Sequence, residues 1–191
     1  KKAAYEDRSD RKYTYQDYLE LPEEEGYHYE ILDGELIKEA APNVAHQRVS
    51  RRLHRILEDY FWEADPKGEV FNAPLDVTFF DTSVVQPDLL YVSGKKKDIV
   101  GYARIDGPPT LVVEILSPST LRYDRMKKMQ IYQREHVQHY WLVNPEAKTI
   151  ECFALREGLY TLIVSGMNKE TVKHPDFNGL SIDLGLLWTS R

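Results

Sequence analysis

One cysteine, Cys152, stands in 191 residues, so no disulfide can form within the chain, and a reducing compartment, the cytoplasm, is the expected setting. No apolar run approaches the roughly 18 residues that a membrane-spanning helix needs. The first residues, Lys1 to Arg11, are polar and carry no signal-peptide apolar core. Residues 1–12 are expected to be a flexible N-terminus and residues 13–191 a single domain. A glycine-rich phosphate loop, a paired Cys/His zinc spacing and a Gly-x-Ser-x-Gly elbow are all missing. Nucleotide hydrolysis, structural zinc and serine-based hydrolysis therefore lose ground. The 25 Lys and Arg are outnumbered by 31 Asp and Glu, and the formal net charge of −6 argues against a basic coat for nucleic acid. It leaves room for a local basic groove beside an acidic metal site.

What the chain does have is a near-continuous apolar strand with one acid in its middle, Leu111–Val112–Val113–Glu114–Ile115–Leu116. A run apolar on both alternating faces reads as a central strand covered on both sides. An ionised carboxylate there costs several kcal/mol (about 3–5 when left unpaired), so Glu114 needs a partner. A second apolar segment with one acid, Val84–Val85–Gln86–Pro87–Asp88–Leu89–Leu90–Tyr91–Val92, offers Asp88. On neighbouring strands the two carboxylates would repel each other and call for a cation between them. Two hard oxygen ligands plus water describe a Mg²⁺ or Mn²⁺ site. The competing reading pairs each acid with a buried Arg or Lys.

Along the chain, Thr14–Tyr15–Gln16–Asp17 matches a capping box and predicts a helix to about Leu21. Tyr27 to Leu32 and Glu35 to Glu39 predict a hairpin around Asp33–Gly34. Asn43 is a candidate cap for a long helix with Val49, Leu53, Ile56, Leu57, Tyr60 and Phe61 on one face. Leu75, Val77 and Phe79 alternate as a half-buried strand does, and Asp81–Thr82–Ser83 turns the chain into the Asp88 strand. Pro87 removes a ladder donor and disrupts that strand locally. Gly94–Lys95–Lys96–Lys97 opens a loop. Ser117–Pro118–Ser119–Thr120 supplies caps for a helix to about His136. Strands are expected at His139–Asn144, Thr149–Leu155 and Leu159–Ser165, with the Ile182–Trp188 tail on the sheet edge. The central order is thus helix, three strands, helix, strand.

Asp124, Lys128 and Tyr132 fall at i, i+4 and i+8 and share a helix face. Aimed at the acids, that face would let Lys128 orient a water or neutralise charge on a phosphate; aimed at solvent, it is an exposed Asp–Lys pair. Glu30 sits in a strand of mixed pattern, as a further acid near the metal or an outward residue. His46 lies in the first turn of the long helix and Gln86 precedes Pro87; both are candidate substrate contacts, as is Asp124. Arg48, Arg51, Arg52 and Arg55 on the long helix and Lys95–Lys97 are the basic clusters, able to meet phosphates or to form a solvated surface.

Taken together, Tyr29–Leu36, Gln86–Pro87–Asp88–Leu89, Val113–Thr120, Asp124, Lys128, Tyr132 and Tyr140–Val143 resemble a bacterial restriction-endonuclease-like family. This family is long filed as a domain of unknown function within the PD-(D/E)XK nuclease superfamily. The resemblance covers about Tyr13 to Leu155. It implies an α/β (α+β) fold with a restriction endonuclease-like αβββαβ core: a central mixed sheet flanked by helices, here with β-rich N- and C-terminal additions. It also implies a divalent-metal site and phosphodiester hydrolysis. Asp88 matches the motif's aspartate and Glu114 its following acid, and these two would hold Mg²⁺ or Mn²⁺. The usual lysine two positions on is replaced by Leu116. The superfamily often moves this lysine to the next helix, where Lys128 fits, with Lys127 second and Tyr132 as support. Glu30 matches an acid seen near the start of this family. DNA as substrate and a homodimer follow by family analogy. The alternative is a catalytically inactive relative that binds nucleic acid or protein, which the acidic charge and Leu116 favour.

Overall fold

Residues 11–189 are described by the computed structural model. Residues 1–10, most of the segment expected to be flexible, lie outside that range. Thr14 opens α1 (Tyr15–Leu19) with the expected capping box: Asp17 N donates to its hydroxyl, and its own N–H donates to the Asp17 carboxylate at 2.8 Å. β1 (Tyr27–Leu32) and β2 (Glu35–Ala40) pair across Asp33–Gly34, whose φ values of 54° and 88° suit a two-residue type I′ turn. Asn43 caps α2 (Val44–Ala64), accepting from His46 N at 2.9 Å, and Val49, Leu53, Leu57 and Phe61 bury one stripe of it.

β3 (Glu69–Asn72), β4 (Val77–Phe79), β5 (Ser83–Val85) and β6 (Leu89–Val92) follow. Two expectations change here. Val84–Val92 is not one strand: Gln86–Pro87–Asp88 separates β5 from β6, and the two belong to different sheets. Pro87, lacking an N–H, stands where the ladder stops. The alternating Leu75–Phe79 segment is not the first core strand either. That strand is β3, short and only half apolar, which pairs with β6, while β4 pairs with β5. A 3₁₀ helix, Gly94–Ile99, replaces the expected loop at the lysine run, and Lys96 Nζ donates to Pro108 O at 3.1 Å.

β7 (Ile105–Asp106) and β8 (Leu111–Ile115) come next. The helix expected from Ser117 starts later: residues 118–120 form a turn, and a π-helical stretch, Tyr123–Lys128, runs into α3 (Met129–Arg134). β9 (His139–Asn144), the hairpin β10 (Thr149–Arg156) and β11 (Leu159–Met167), then β12 (Thr171–Lys173), β13 (Ser181–Asp183) and α4 (Leu184–Trp188) complete the chain.

The main sheet is mixed, in the order β11-β10-β9-β8-β6-β3, with β8 and β9 parallel. Helix α2, strands β3, β6 and β8, helix α3 and strand β9 reproduce the αβββαβ core. A second sheet, β2-β1-β5-β4-β7, stands beside it. Alternation along β8 sends Leu111, Val113 and Ile115 into one core with α2, and Val112 into another with α3 and the second sheet. The tail packs at the β11 edge, where Leu184 meets Gly166 and Trp188 Nε1 donates to Asn168 O at 2.7 Å, and it reaches further. Ile182, Leu184 and Leu187 join the α2 core, and Arg52 Nη1 donates to Leu187 O at 2.9 Å.

In that first core the buried rings of His139 and His174 lie 5.4 Å apart, and His174 Nδ1 accepts from Asp176 N and Phe177 N. Burial pushes each imidazole down to about 4. An unfolded chain, with imidazoles near about 6.5, takes protons first as pH falls. Their contribution is therefore complete above that value and is lost as pH drops towards 4. Relative to His139→Phe, the parent should lose melting temperature between about pH 7 and about pH 4.5 in calorimetry.

Candidate active site

β6 and β8 are antiparallel, with Leu89 opposite Val113 and Leu90 opposite Val112. The same register carried one residue on sets Asp88 opposite Glu114, where the chain leaves the second sheet and enters the first. Asp88 Oδ2 accepts from Ile115 N at 2.7 Å, and Asp88 Oδ1 lies 3.1 Å from His46 Nε2 in the first turn of α2.

Lys128 is the centre of the site. Its Nζ lies 2.7 Å from Glu30 Oε2, 3.4 Å from Glu114 Oε1, 3.4 Å from Asp124 Oδ1 and 3.9 Å from Glu39 Oε1. The acids come from β1, β8, the π-helical stretch and β2, and the lysine side chain is 2% exposed. Tyr132 donates its hydroxyl to Glu114 Oε1 at 2.7 Å, and Tyr140 donates to Asp124 O at 2.9 Å. The i, i+4, i+8 face thus points inward, not to solvent. The π-helical stretch runs through Asp124 and Lys128, a local widening of the kind that recurs at functional sites.

Four carboxylates face one ammonium here, and burial penalises the charge on all of them. Burial raises the Glu114 carboxyl well above the usual range, raises Asp124, and brings Glu30 to about 7. Glu39 moves the other way, to about 2: burial opposes its ionisation, but the hydrogen bond from His28 and the Lys128 charge outweigh it. Burial likewise opposes the charge on Lys128, and the carboxylates, Glu114 first, hold it well above the ordinary lysine value.

An open cleft of about 660 Å³ lies over this centre, and Asp88, Glu114, Asp124, Lys128, His46 and Gln86 all line it. Glu30, fully buried, lies beneath: its Oε1 accepts from Gln86 N at 2.6 Å and its Oε2 meets Lys128. Of the four carboxylates its oxygen lies nearest the Lys128 ammonium. The Gln86 side chain is already engaged, donating to Tyr18 Oη at 2.9 Å and Asp76 Oδ1 at 2.8 Å. Lys127 turns away to Glu35, which leaves Lys128 as the lysine at the acids. Arg48 and Arg51 are exposed, Arg52 holds the tail and Arg55 faces Asp59, so the α2 arginines do not line the cleft. The sequence reading missed His28 and Glu39, which do. The available signal was parity: Glu39 shares the inward face of β2 with Ile37.

Asp88 and Glu114 offer hard oxygen donors suited to Mg²⁺ or Mn²⁺. Among the described residues no group of three His, Cys, Asp or Glu is arranged to hold a metal. A cation on these two carboxylates would keep several waters, as Mg²⁺ commonly does. Glu39 Oε1 and Asp124 Oδ1, buried without a hydrogen-bond donor, mark the shortage of positive charge that such a cation would offset.

Removing the ammonium would strand its carboxylates. Lys128→Met should cost about 3–5 kcal/mol at pH 8, read by urea unfolding. The cost should shrink towards pH 5, because Glu30 and Glu114, with raised values, then take up protons.

Comparison with known proteins accords with this geometry. Residues 15–185 match the Uma2 family, described as "Putative restriction endonuclease". Two uncharacterized proteins of Synechocystis are similar: slr1290, 27% identical over 148 residues (74% of each chain), and sll1609, 24% identical over 140 residues (72% of this chain, 78% of that one). A crystal structure from Anabaena variabilis, titled a putative nuclease belonging to DUF820, shares the fold with a TM-score of 0.71. It is 20% identical, and the match covers 92% of this chain and 97% of that one. With the motif residues gathered at one cleft and the match spanning most of its length, this chain belongs to the Uma2 restriction-endonuclease-like family.

Proposed function

We propose that this protein is a metal-dependent nuclease that hydrolyses phosphodiester bonds in DNA. One observation carries the reading: a lysine absent at Leu116 is delivered from the following helix, with Lys128 Nζ 3.4 Å from Glu114 Oε1 and Glu114 opposite Asp88. Asp88 and Glu114 would hold the cation, Mg²⁺ or Mn²⁺. When bound there, the cation supplies a water of lowered pKa and screens the scissile phosphate. Asp88 is kept in place by Ile115 N and His46, and Glu114 by the Tyr132 hydroxyl. Lys128, fixed by Glu30 and Asp124, presents a permanent positive charge that stabilises charge developing on the phosphate. Family analogy adds action as a homodimer, open to test by sedimentation.

A catalytically inactive binding module is the second reading. It is favoured by the engagement of Lys128 with four carboxylates and of Asp88 with His46, which occupies the lysine and one of the two proposed metal ligands. Titration calorimetry separates the two. Mn²⁺ should bind the parent protein and fail to bind Asp88→Ala. Nicking of supercoiled plasmid DNA in Mg²⁺ should fall by at least about a hundredfold in Glu114→Gln. Absence of Mn²⁺ binding by the parent would sink the catalytic reading.

A further inference from the structure

Among the described residues, the cleft has an acidic floor and no arginine in its lining. Its cationisable groups are His28, His46 and Lys128. Lys128 is 2% exposed and locked among carboxylates, and His46 Nε2 is turned to Asp88. His28 is different. It stands on β1 at the opening, its side chain 30% exposed, with Nε2 3.2 Å from Glu39 Oε2. That contact orients the ring, which lines the cleft. The remaining donors around the rim, such as Asn43, Ser117, Thr120 and Asn144, are uncharged. A polyanion entering this cleft meets one accessible cation-forming side chain among the described residues.

We infer that His28, held by Glu39, is the residue that contacts a backbone phosphate of the nucleic acid at the mouth of the cleft. The inference rests on the nuclease reading above and gives it a phosphate contact that neither the α2 arginines nor the lysine run supplies. The charged groups facing His28 are Glu39 on β2, Glu30 on its own strand and Lys128 from across the site. The hydrogen bond to Glu39 favours the imidazolium, burial and Lys128 oppose it, and the net direction is upward from the usual histidine value. The positive form is therefore kept at higher pH than for a free imidazole, and a phosphate contact through it weakens as pH rises.

The test is binding of a short DNA duplex, with Ca²⁺ in place of Mg²⁺ to limit cleavage, followed from about pH 6 to about pH 9. The parent should lose about tenfold in affinity across that range, the scale of one charge-assisted contact. His28→Gln keeps a donor for Glu39 but cannot carry charge. It should bind about tenfold more weakly at low pH, show little pH dependence, and lower the salt slope by about one phosphate contact. Glu39→Gln should retain the pH dependence but move it to lower pH. A His28→Gln protein of parental melting temperature that binds with the parent's affinity and pH profile would overturn the inference. If the parent binds no DNA at any pH, the DNA reading fails, and NMR of the His28 ring during titration with inorganic phosphate decides the contact separately. A shift of the ring resonances that Glu39→Gln moves to lower pH upholds the phosphate contact; no shift overturns it.

Discussion

A lysine ammonium with almost no access to water, surrounded by four carboxylates from four different elements, is the constraint on which the rest of this structure depends. Neither sign of charge can be buried there alone. Lys128 needs acids to stay charged, and Glu30, Glu114 and Asp124 need the lysine to limit the cost of their own burial. Because Glu30 and Glu39 arrive on the N-terminal hairpin, that hairpin is an integral wall of the site, not a decoration on the core.

The site exists where the chain changes sheets. β5 ends at Val85 and β6 begins at Leu89, and the three residues between them serve both sides. Gln86 N donates to Glu30 in the second sheet, Pro87 interrupts the ladder, and Asp88 is delivered opposite Glu114 in the first. Ending β6 there gives the Asp88 carboxylate partners from β8 and α2, while its carbonyl still accepts from Ala73 N. A cleft with excess negative charge suits a cation first and a polyanion only through that cation and a few placed donors.

Much of the local structure was legible because short-range physics decides it. The Thr14–Asp17 box, the Asp33–Gly34 turn, the Asn43 cap and the 3.6-residue stripe of α2 each depend on residues within a few positions of one another. The isolated acids Asp88 and Glu114 were legible for a related reason, since a lone carboxylate in an apolar strand announces a partner. β3 was not legible: Glu69–Asn72 has too little apolar pattern, and pairing with β6 is what makes it a strand. The division of Val84–Val92 between two sheets was hidden as well, since each half has the composition of a buried strand.

By itself the sequence determined the acids, the lysine at four-residue spacing from Asp124, and the order of helices and strands that carries them. Only the tertiary structure decided what they do to one another. Periodicity could put Asp124, Lys128 and Tyr132 on one face, but it could not say whether that face met water or Glu114. The choice rests on sheet register and on packing between elements distant in sequence, which turn a surface ion pair into a buried cluster. The same long-range packing brought in His28 and Glu39, residues with nothing unusual about their neighbours, because a hairpin from the start of the chain closes over a helix about a hundred residues later.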